Sequence, residues 1–407
     1  MLNVTSFVQN VQSVIENLLT ADPSDMRRME QAVRDRFLAL AGQAMEMVYG
    51  RYGKGYEGAS RTCDCGGTAR YVGDRVREVQ TLCGPIALKR AWYHCPTCRH
   101  GRAPLERALK IDHRWSPGIR EMVALAGVGL PYERAADMIR RLSGVAVSST
   151  STEKLTEAAG RRAIGAMAEA RHAAPKVLPK KGPFYVMMDG VMTPLRGRWA
   201  ETKLGVITHK NGLRRYVAHL GGPEPLGRML RRTAAAMGIK KTQEVVVVGD
   251  GARWIWNQAR DNFPGARQIV DWYHASQHIG DAARQVFGEG APRGHTWTSR
   301  LRDLLWKEGG QAVLESLKRS KYMSRQPVLQ LIEYIHNNVS RMNYPLYRRL
   351  GLDVGSGPVE SGCKQVVQAR LKGAGMRWTE SDAQCVTALR CLYLSDQWDA
   401  FWKHEAA

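Results

Sequence analysis

Four consecutive valines, Val245–Val248, run directly into Gly249-Asp250-Gly251. A strand with one face in water alternates apolar and polar residues. An unbroken β-branched run instead fits a strand covered on both faces, inside a layered α/β sheet. The neighbouring segments must supply the rest of that sheet. Phe184–Met188 reads as a strand ending in Asp189-Gly190, Thr202–Thr208 as a second and Arg215–Leu220 as a third, each joined by a short turn-rich connection. Gly227–Met237 reads as a helix, Glu244–Val248 as the valine strand, Trp254–Asn262 as a helix, and Gln268–Val270 as a strand ending in Asp271.

Three strands, helix, strand, helix, strand is the chain order of the RNase H-like fold. The expected core is therefore an α/β, mixed five-stranded sheet over residues 176–274, completed by helices in 351–407. Trp297, Leu301, Leu304 and Leu305 recur at helical spacing, so residues 275–350 are expected to be an all-helical insertion. In such a sheet the strands that end at Asp189 and Asp250 are neighbours, which puts both acids at one end. Gly355-Ser356-Gly357 with Pro358 opens a late helix whose first turn carries Glu360; Glu380 and Asp382 are its rivals. Three converging carboxylates repel one another unless cations relieve them. Hard oxygen ligands suit Mg²⁺, and two ions about 3.5–4 Å apart would activate a water or a 3′-hydroxyl for in-line phosphodiester attack. Asp-Gly is also a common turn dipeptide, so each aspartate alone has an ordinary explanation. Their joint placement at the ends of the first and fourth strands carries the argument.

Upstream, the chain divides at changes of pattern. Residues 1–58 hold two helical stripes, one with Phe7, Val11, Val14, Ile15, Leu18 and Leu19, the other with Val33, Phe37, Leu40, Ala44 and Val48, broken at Asp22-Pro23-Ser24. They suit either dimerisation or a cap packed on the chain itself. Residues 59–108 place Cys63-Asp64-Cys65 and Cys95-Pro96-Thr97-Cys98 on either side of two β-like segments, Val76–Leu82 and Ile86–Tyr93. That is the layout of a zinc ribbon, with four thiolates to hold one Zn²⁺. The first pair has a one-residue spacer where two is usual, and Cys83, His94 and His100 are spare ligands. Residues 109–175 read as helices around Ser143-Gly144, either a helix-turn-helix or a plain helical connector, since Glu153, Lys154 and Glu157 are a poor set for a phosphate-lined groove. Ala173–Gly182, with two prolines and three lysines, reads as a linker.

The charge points to a polyanion. Sixty Lys and Arg against 38 Asp and Glu give +22, most simply a nucleic-acid footprint. Residues 1–60 carry a net −1, so the N-terminal helices are not the basic arm. Around the acids, Arg253, Trp254, Lys364, Arg370, Lys372, Arg377 and Trp378 are candidate DNA contacts, through phosphate neutralisation and base stacking. Core packing competes for Trp254, Trp256 and Trp378, and a solvated face for the helix cations. No apolar run approaches the ~18–20 residues of a membrane span. The N-terminus lacks a basic n-region, and eight cysteines in 407 residues exclude a disulfide scaffold. The expected compartment is reducing and cytoplasmic, nucleoid-associated when bound to DNA.

The runs Val247-Val248-Gly249-Asp250-Gly251-Ala252-Arg253-Trp254-Ile255, Val270-Asp271-Trp272-Tyr273-His274 and Gly355-Ser356-Gly357-Pro358-Val359-Glu360-Ser361 resemble bacterial insertion-sequence transposases of the Kra type and, more distantly, Mutator-type DDE transposases. The resemblance covers most of residues 60–400. It implies Mg²⁺-dependent cleavage and strand transfer at the terminal repeats of an element, through a triad that falls on Asp189, Asp250 and Glu360. It also implies that Asp271 and His274 match a Cys/Asp-x-x-His element that supports the site, and that the helical run is an insertion domain. Double-stranded DNA, both element ends and target, is the implied partner of a homo-oligomer. Two other functions fit the same residues: a non-enzymatic regulator that binds terminal repeats, which need not keep all three acids, and a structure-selective nuclease that cuts without joining.

Overall fold

The structure, a computed structural model, describes residues 4–20, 25–111, 113–173, 182–239 and 243–406. The break expected at Asp22-Pro23-Ser24 lies outside them, as does the linker expected over Ala173–Gly182 apart from its two ends. The chain forms two compact units, one up to Ala159 and one from Gly160 to Lys403.

In the first unit, α1 (Val4–Leu19) and α2 (Met26–Tyr52) follow the two apolar stripes. Asp25 caps α2 by accepting the Arg28 amide at 3.1 Å, which satisfies one of the orphan donors of a first turn. An antiparallel sheet follows, β1 (Ser60–Thr62), β2 (Thr68–Thr81), β3 (Gly84–His94) and β4 (Gly101–Arg102), in that spatial order. Its apolar side, Val79, Ile86 and Leu88, is closed by Leu105 of α3 (Pro104–Ala108) and by Met45 and Tyr49 of α2. Three further helices, α4 (Pro117–Gly129), α5 (Tyr132–Ser143) and the first half of α6 (Ser149–Ala168), whose second half belongs to the other unit, share a second core that includes Ile119, Val123, Ile139 and Leu155. Gly144 at φ +76° ends α5, and Ser148 Oγ accepts the Ser151 amide at 3.1 Å to start α6.

The second unit is built on β5 (Phe184–Pro194), β6 (Trp199–Thr208), β7 (Arg214–Leu220), α7 (Pro223–Ala236), β8 (Val245–Gly249), α8 (Arg253–Asn262) and β9 (Arg267–Val270). The strand order is β7-β6-β5-β8-β9. The first three strands are antiparallel, and β8 and β9 run parallel to β5. This is the mixed five-stranded sheet that the element order implies, with Val246, Val247 and Val248 fully buried in it. One expectation is corrected: β5 does not end at Asp189. Its last pair with β8 is Met187↔Val248, but β6 goes on supplying partners from Asp189↔Leu204 to Pro194↔Trp199. Asp189 therefore sits where β8 stops flanking the strand, and Asp189-Gly190 is ladder rather than turn.

After β9 come α9 (Trp272–Phe287), α10 (Pro292–Glu308), α11 (Gly310–Lys318), α12 (Gln326–Asn338), a 3₁₀ turn (Val339–Arg341) and α13 (Tyr344–Arg349). Trp297, Leu301 and Leu305 are buried on one side of α10, as their spacing implies. The late helix is not regular throughout. α14 (Gly357–Gly362) passes into a π-helical stretch (Cys363–Gln368) and a last turn, α15 (Ala369–Leu371), before α16 (Glu380–Leu394) and α17 (Trp398–Ala406). Gly362 lets α14 lie against the sheet: a Cβ there would stand 2.8 Å from Leu204 and 2.7 Å from Tyr216.

Candidate active site and cysteine cluster

The four cysteines expected to bind metal converge in the first unit. Cys63 and Cys65 follow β1, Cys95 and Cys98 follow β3, and β1 and β3 flank β2, so the two knuckles meet at one end of the sheet. The sulfurs all lie within 4.8 Å of one another. Cys63–Cys98 and Cys65–Cys95 are each 3.7 Å apart. A disulfide would bring sulfurs to about 2.05 Å, whereas a tetrahedron with Zn–S bonds of about 2.3 Å has edges near 3.8 Å. The spacing fits a metal-sized centre. The amides of Cys98 and Thr97 hold the Cys95 thiol down to about 6, while hydrogen bonds of the neighbouring thiols, Cys63 first, push Cys65 up to about 11, so a thiolate in the cluster settles on Cys95. Cys83 lies in the β2–β3 turn, at the far end of the hairpin.

In the second unit the sheet delivers the acids. Asp189 comes from β5, Asp250 from the turn after β8, and Glu360 from the first turn of α14, which packs over the same sheet. Their hydrogen-bond partners are a thiol, a hydroxyl and backbone amides. Asp189 accepts the Gly190 amide at 2.7 Å and the Cys363 thiol at 3.5 Å, Asp250 the Ala252 amide at 2.8 Å, and Glu360 the Ser356 hydroxyl at 3.3 Å. Burial pushes the Asp189 carboxyl up, and the charge of Asp250 adds to that. The field of Asp250 and Glu360 also reaches His274, and that of Asp189 and Glu360 reaches Cys363. These side chains form one electrostatic cluster, and Cys363 belongs to it although no sequence motif marks it.

Asp271 and His274 join the cluster in different ways. Among the described residues, the set of potential ligand atoms in this region that lies within 4.8 Å of one another is Asp271, His274 and Glu360, not the triad. Yet Asp271 is fully buried, and its oxygens already accept the amides of Tyr273 (2.5 Å), His274 (3.2 Å) and Ser356 (2.6 Å), as well as the Ser356 hydroxyl. A carboxylate so occupied caps α9 and ties it to the start of α14; it has little capacity left for a metal. Burial would raise its pKa, but the donors His274 and Ser356 outweigh that and hold it low. His274 Nδ1 stands 3.5 Å from Asp271 Oδ2, an ion-pair contact longer than a hydrogen bond. That carboxylate, then Asp250 and Glu360, pushes the imidazole pKa up. Glu380 is elsewhere, paired with Arg198 at 2.6 Å on the surface, and Asp382 is bound to its helix cap, Thr379. The late-helix acid in the cluster is Glu360.

No protein-family model matches the chain, and no curated protein matches it in sequence. Among solved structures it is similar to the Drosophila P element transposase strand transfer complex, at 8% identity and a TM-score of 0.27, over 70% of this chain and 80% of that one. At that distance the likeness carries no argument, and the site is read from its own geometry.

The residues expected to touch DNA divide. Arg253, Lys364, Lys372 and Arg377 are exposed. Arg370 and Trp378 are not: they are 2% and 7% exposed, and the guanidinium stacks 4.9 Å over the indole, whose Nε1 donates to Leu371 O at 3.1 Å. Both are inside because the π-helical stretch turns Arg370 inward against the segment that bridges Leu195 to Trp378. Trp254 is half-buried, with Lys203 Nζ 4.3 Å over its ring. Trp256 is core, donating to Asn338 Oδ1 at 2.9 Å. Sequence reasoning missed the group that holds the Asp250 turn. Tyr334 of α12 donates to Asp250 O at 2.7 Å. Gly251, at φ +108°, leaves room for it where a Cβ would meet the Tyr334 ring at 2.7 Å. His278 stacks on that ring at 3.9 Å.

Proposed function

We propose that this chain is a DNA transposase of the DDE type on an RNase H-like core, cutting element ends and joining them to target DNA. What supports this reading is that Asp189 on β5, Asp250 in the turn after its parallel neighbour β8, and Glu360 on the helix packed against the same sheet belong to one electrostatic cluster, in a chain of net charge +22. Carboxylate oxygens fit Mg²⁺; when bound there, it supplies Lewis-acid stabilisation and an activated oxygen nucleophile. The remaining work falls to the chain. Burial of Asp189 and the approach of Asp250 make the acid cluster costly without a cation, which favours cation uptake. Asp271 holds Ser356, and Ser356 steers Glu360. His274, whose proton is retained to higher pH by the Asp271 carboxylate, is assigned to donate to a phosphate oxygen. Lys364 and Arg253 are the exposed cations nearest in sequence to two of the acids, and they are assigned to phosphate contacts. The Cys63, Cys65, Cys95 and Cys98 cluster holds structural Zn²⁺, and the protein acts as a homo-oligomer.

The test is incubation with duplex DNA carrying the element's ends and Mg²⁺, reading cleavage and strand-transfer products. Asp189→Asn, Asp250→Asn and Glu360→Gln are each expected to slow formation of both products by roughly a hundred- to a thousandfold, as for a group at the reacting centre, while DNA affinity persists. Cleavage without joining would make the protein a nuclease. Neither product from the wild type would make it a terminal-repeat-binding regulator. Near wild-type cutting by Glu360→Gln would remove Glu360 from the triad.

A further inference from the structure

A cleft of about 620 Å³ lies beside the cysteine cluster, lined by Arg61, Arg77, Arg102, Arg107, Trp92 and Glu106 among others, and the proposed chemistry makes no use of it. Its carboxylates are outnumbered. Asp64 holds both Arg102 (2.6 Å) and Arg107 (3.1 Å), and Glu106 holds both Arg77 (3.0 Å) and Arg90 (2.5 Å). Four guanidinium groups share two carboxylates, and guanidinium cannot shed its proton to relieve the excess. Arg90 lies behind the wall with its side chain 5% exposed. Its Nη1 has no hydrogen-bond partner among the described residues. The Trp92 ring is stacked by Arg75 at 4.6 Å and Arg90 at 5.0 Å, which fixes these side chains before any ligand arrives. The one-residue spacer between Cys63 and Cys65 also finds a reason here: the spacer residue is Asp64, which pins Arg102 and Arg107 at the rim.

We propose that this arginine cleft is a phosphate-binding site for the backbone of duplex DNA. Planar guanidinium forks match phosphate oxygens bidentately. A polymer of phosphates is also the occupant that accounts for the +22 of the whole chain, which a single small anion does not. The cleft positions DNA without reading its sequence.

The inference rests on DNA as the partner but not on the acid triad. It is therefore measured by binding, in full-length Asp250→Asn protein, with a labelled random-sequence DNA duplex over a salt series. Arg102→Gln/Arg107→Gln is expected to weaken binding by roughly tenfold at low salt and to flatten the log–log slope by about 1.8, or about 0.9 per lost phosphate contact. Arg102→Lys/Arg107→Lys keeps the charge and is expected to keep most of the slope. Arg107 alone has a side chain 73% exposed, so Arg107→Gln is a substitution the fold tolerates, and it should flatten the slope by about 0.9. An unchanged slope in the Gln variants overturns the site. So does equal flattening from Arg27→Gln/Arg28→Gln, which removes two exposed charges from α2. Tighter binding of duplex RNA than of DNA, with the same arginine dependence, overturns DNA as the occupant. Loss of cleavage in the triad variants with the slope intact leaves the two proposals separately decided.

Discussion

Asp74 gathers three partners on the surface of the first unit: the Tyr71 hydroxyl at 2.6 Å, Lys54 Nζ at 2.9 Å and Lys89 Nζ at 3.5 Å. The Tyr71 hydroxyl, followed by Lys54, holds its carboxyl below the ordinary value of 3.8. A carboxylate whose pKa is lowered by folding stabilises the fold above its unfolded value, and that contribution is lost as pH falls through the folded one. Asp74→Asn is therefore expected to lower Tm at neutral pH and to converge with the wild type below about pH 3.8; parallel Tm curves over the whole acid range would remove the role. Residues were legible where local pattern and chemistry coincide. Asp250 follows a valine strand, Asp271 sits at a strand–helix junction, and the cysteines come in pairs. Ser356 was visible only as part of a glycine-rich approach, because its partner Asp271 is 85 residues away. Cys363 bonds to Asp189 across 174 residues, and no periodicity reports such a contact.

The elements show the same division. Strand order followed from chain order, but where β5 ends did not: Asp-Gly looks like a turn, and only the partner strand shows that it is ladder. The π-helical stretch after α14 was likewise hidden, and with it the burial of Arg370. Helix α12 is the element whose role most exceeds its sequence signal. Tyr334 holds the Asp250 carbonyl, and Asn338 of the same helix takes the Trp256 indole of α8, so α12 braces the turn that carries Asp250. Tyr334→Phe keeps the ring and removes the donor, leaving a carbonyl unpaired at a cost of about 1–3 kcal/mol. Expected is a lower kcat for cleavage and a higher Mg²⁺ requirement, with DNA affinity unchanged. Gly251→Ala, which also forces a side chain into φ +108°, should lose more. Equal Mg²⁺ titrations for the wild type and both variants would reduce α12 to packing. The hairpin that carries the cysteines makes a separate prediction: Cys95→Ser/Cys98→Ser should lose stoichiometric zinc by elemental analysis, and equal zinc in both proteins would sink the assignment.

At the scale of the whole molecule, the +22 charge and the near-neutral N-terminal helices call for different partners. Helix α1 buries none of its residues, and Val4, Val8, Ile15 and Leu19 remain exposed. It touches α2 through the bond from Asn10 Nδ2 to Gln43 Oε1 at 3.1 Å. Phe7, Val11, Val14 and Leu18 are half-buried, whereas Val4, Val8, Ile15 and Leu19 form an adjoining apolar stripe left exposed, and that stripe is the surface a second copy of the chain would cover. Helix α2 is different, because Leu40 is buried and Met45 and Tyr49 pack on the core beneath the sheet. Deleting residues 1–50 would therefore strip the sheet of part of its core, and a loss of oligomer would then mean only unfolding. Deleting residues 1–20 removes α1 alone. That truncation is expected to lower the solution mass by light scattering, to leave Tm near the wild-type value, and to leave the salt dependence of DNA binding steep, because the segment removed carries one acid and no basic residue. An unchanged mass would return α1 to the chain's own surface, and a flattened slope with the oligomer intact would mean that the N-terminus grips DNA after all.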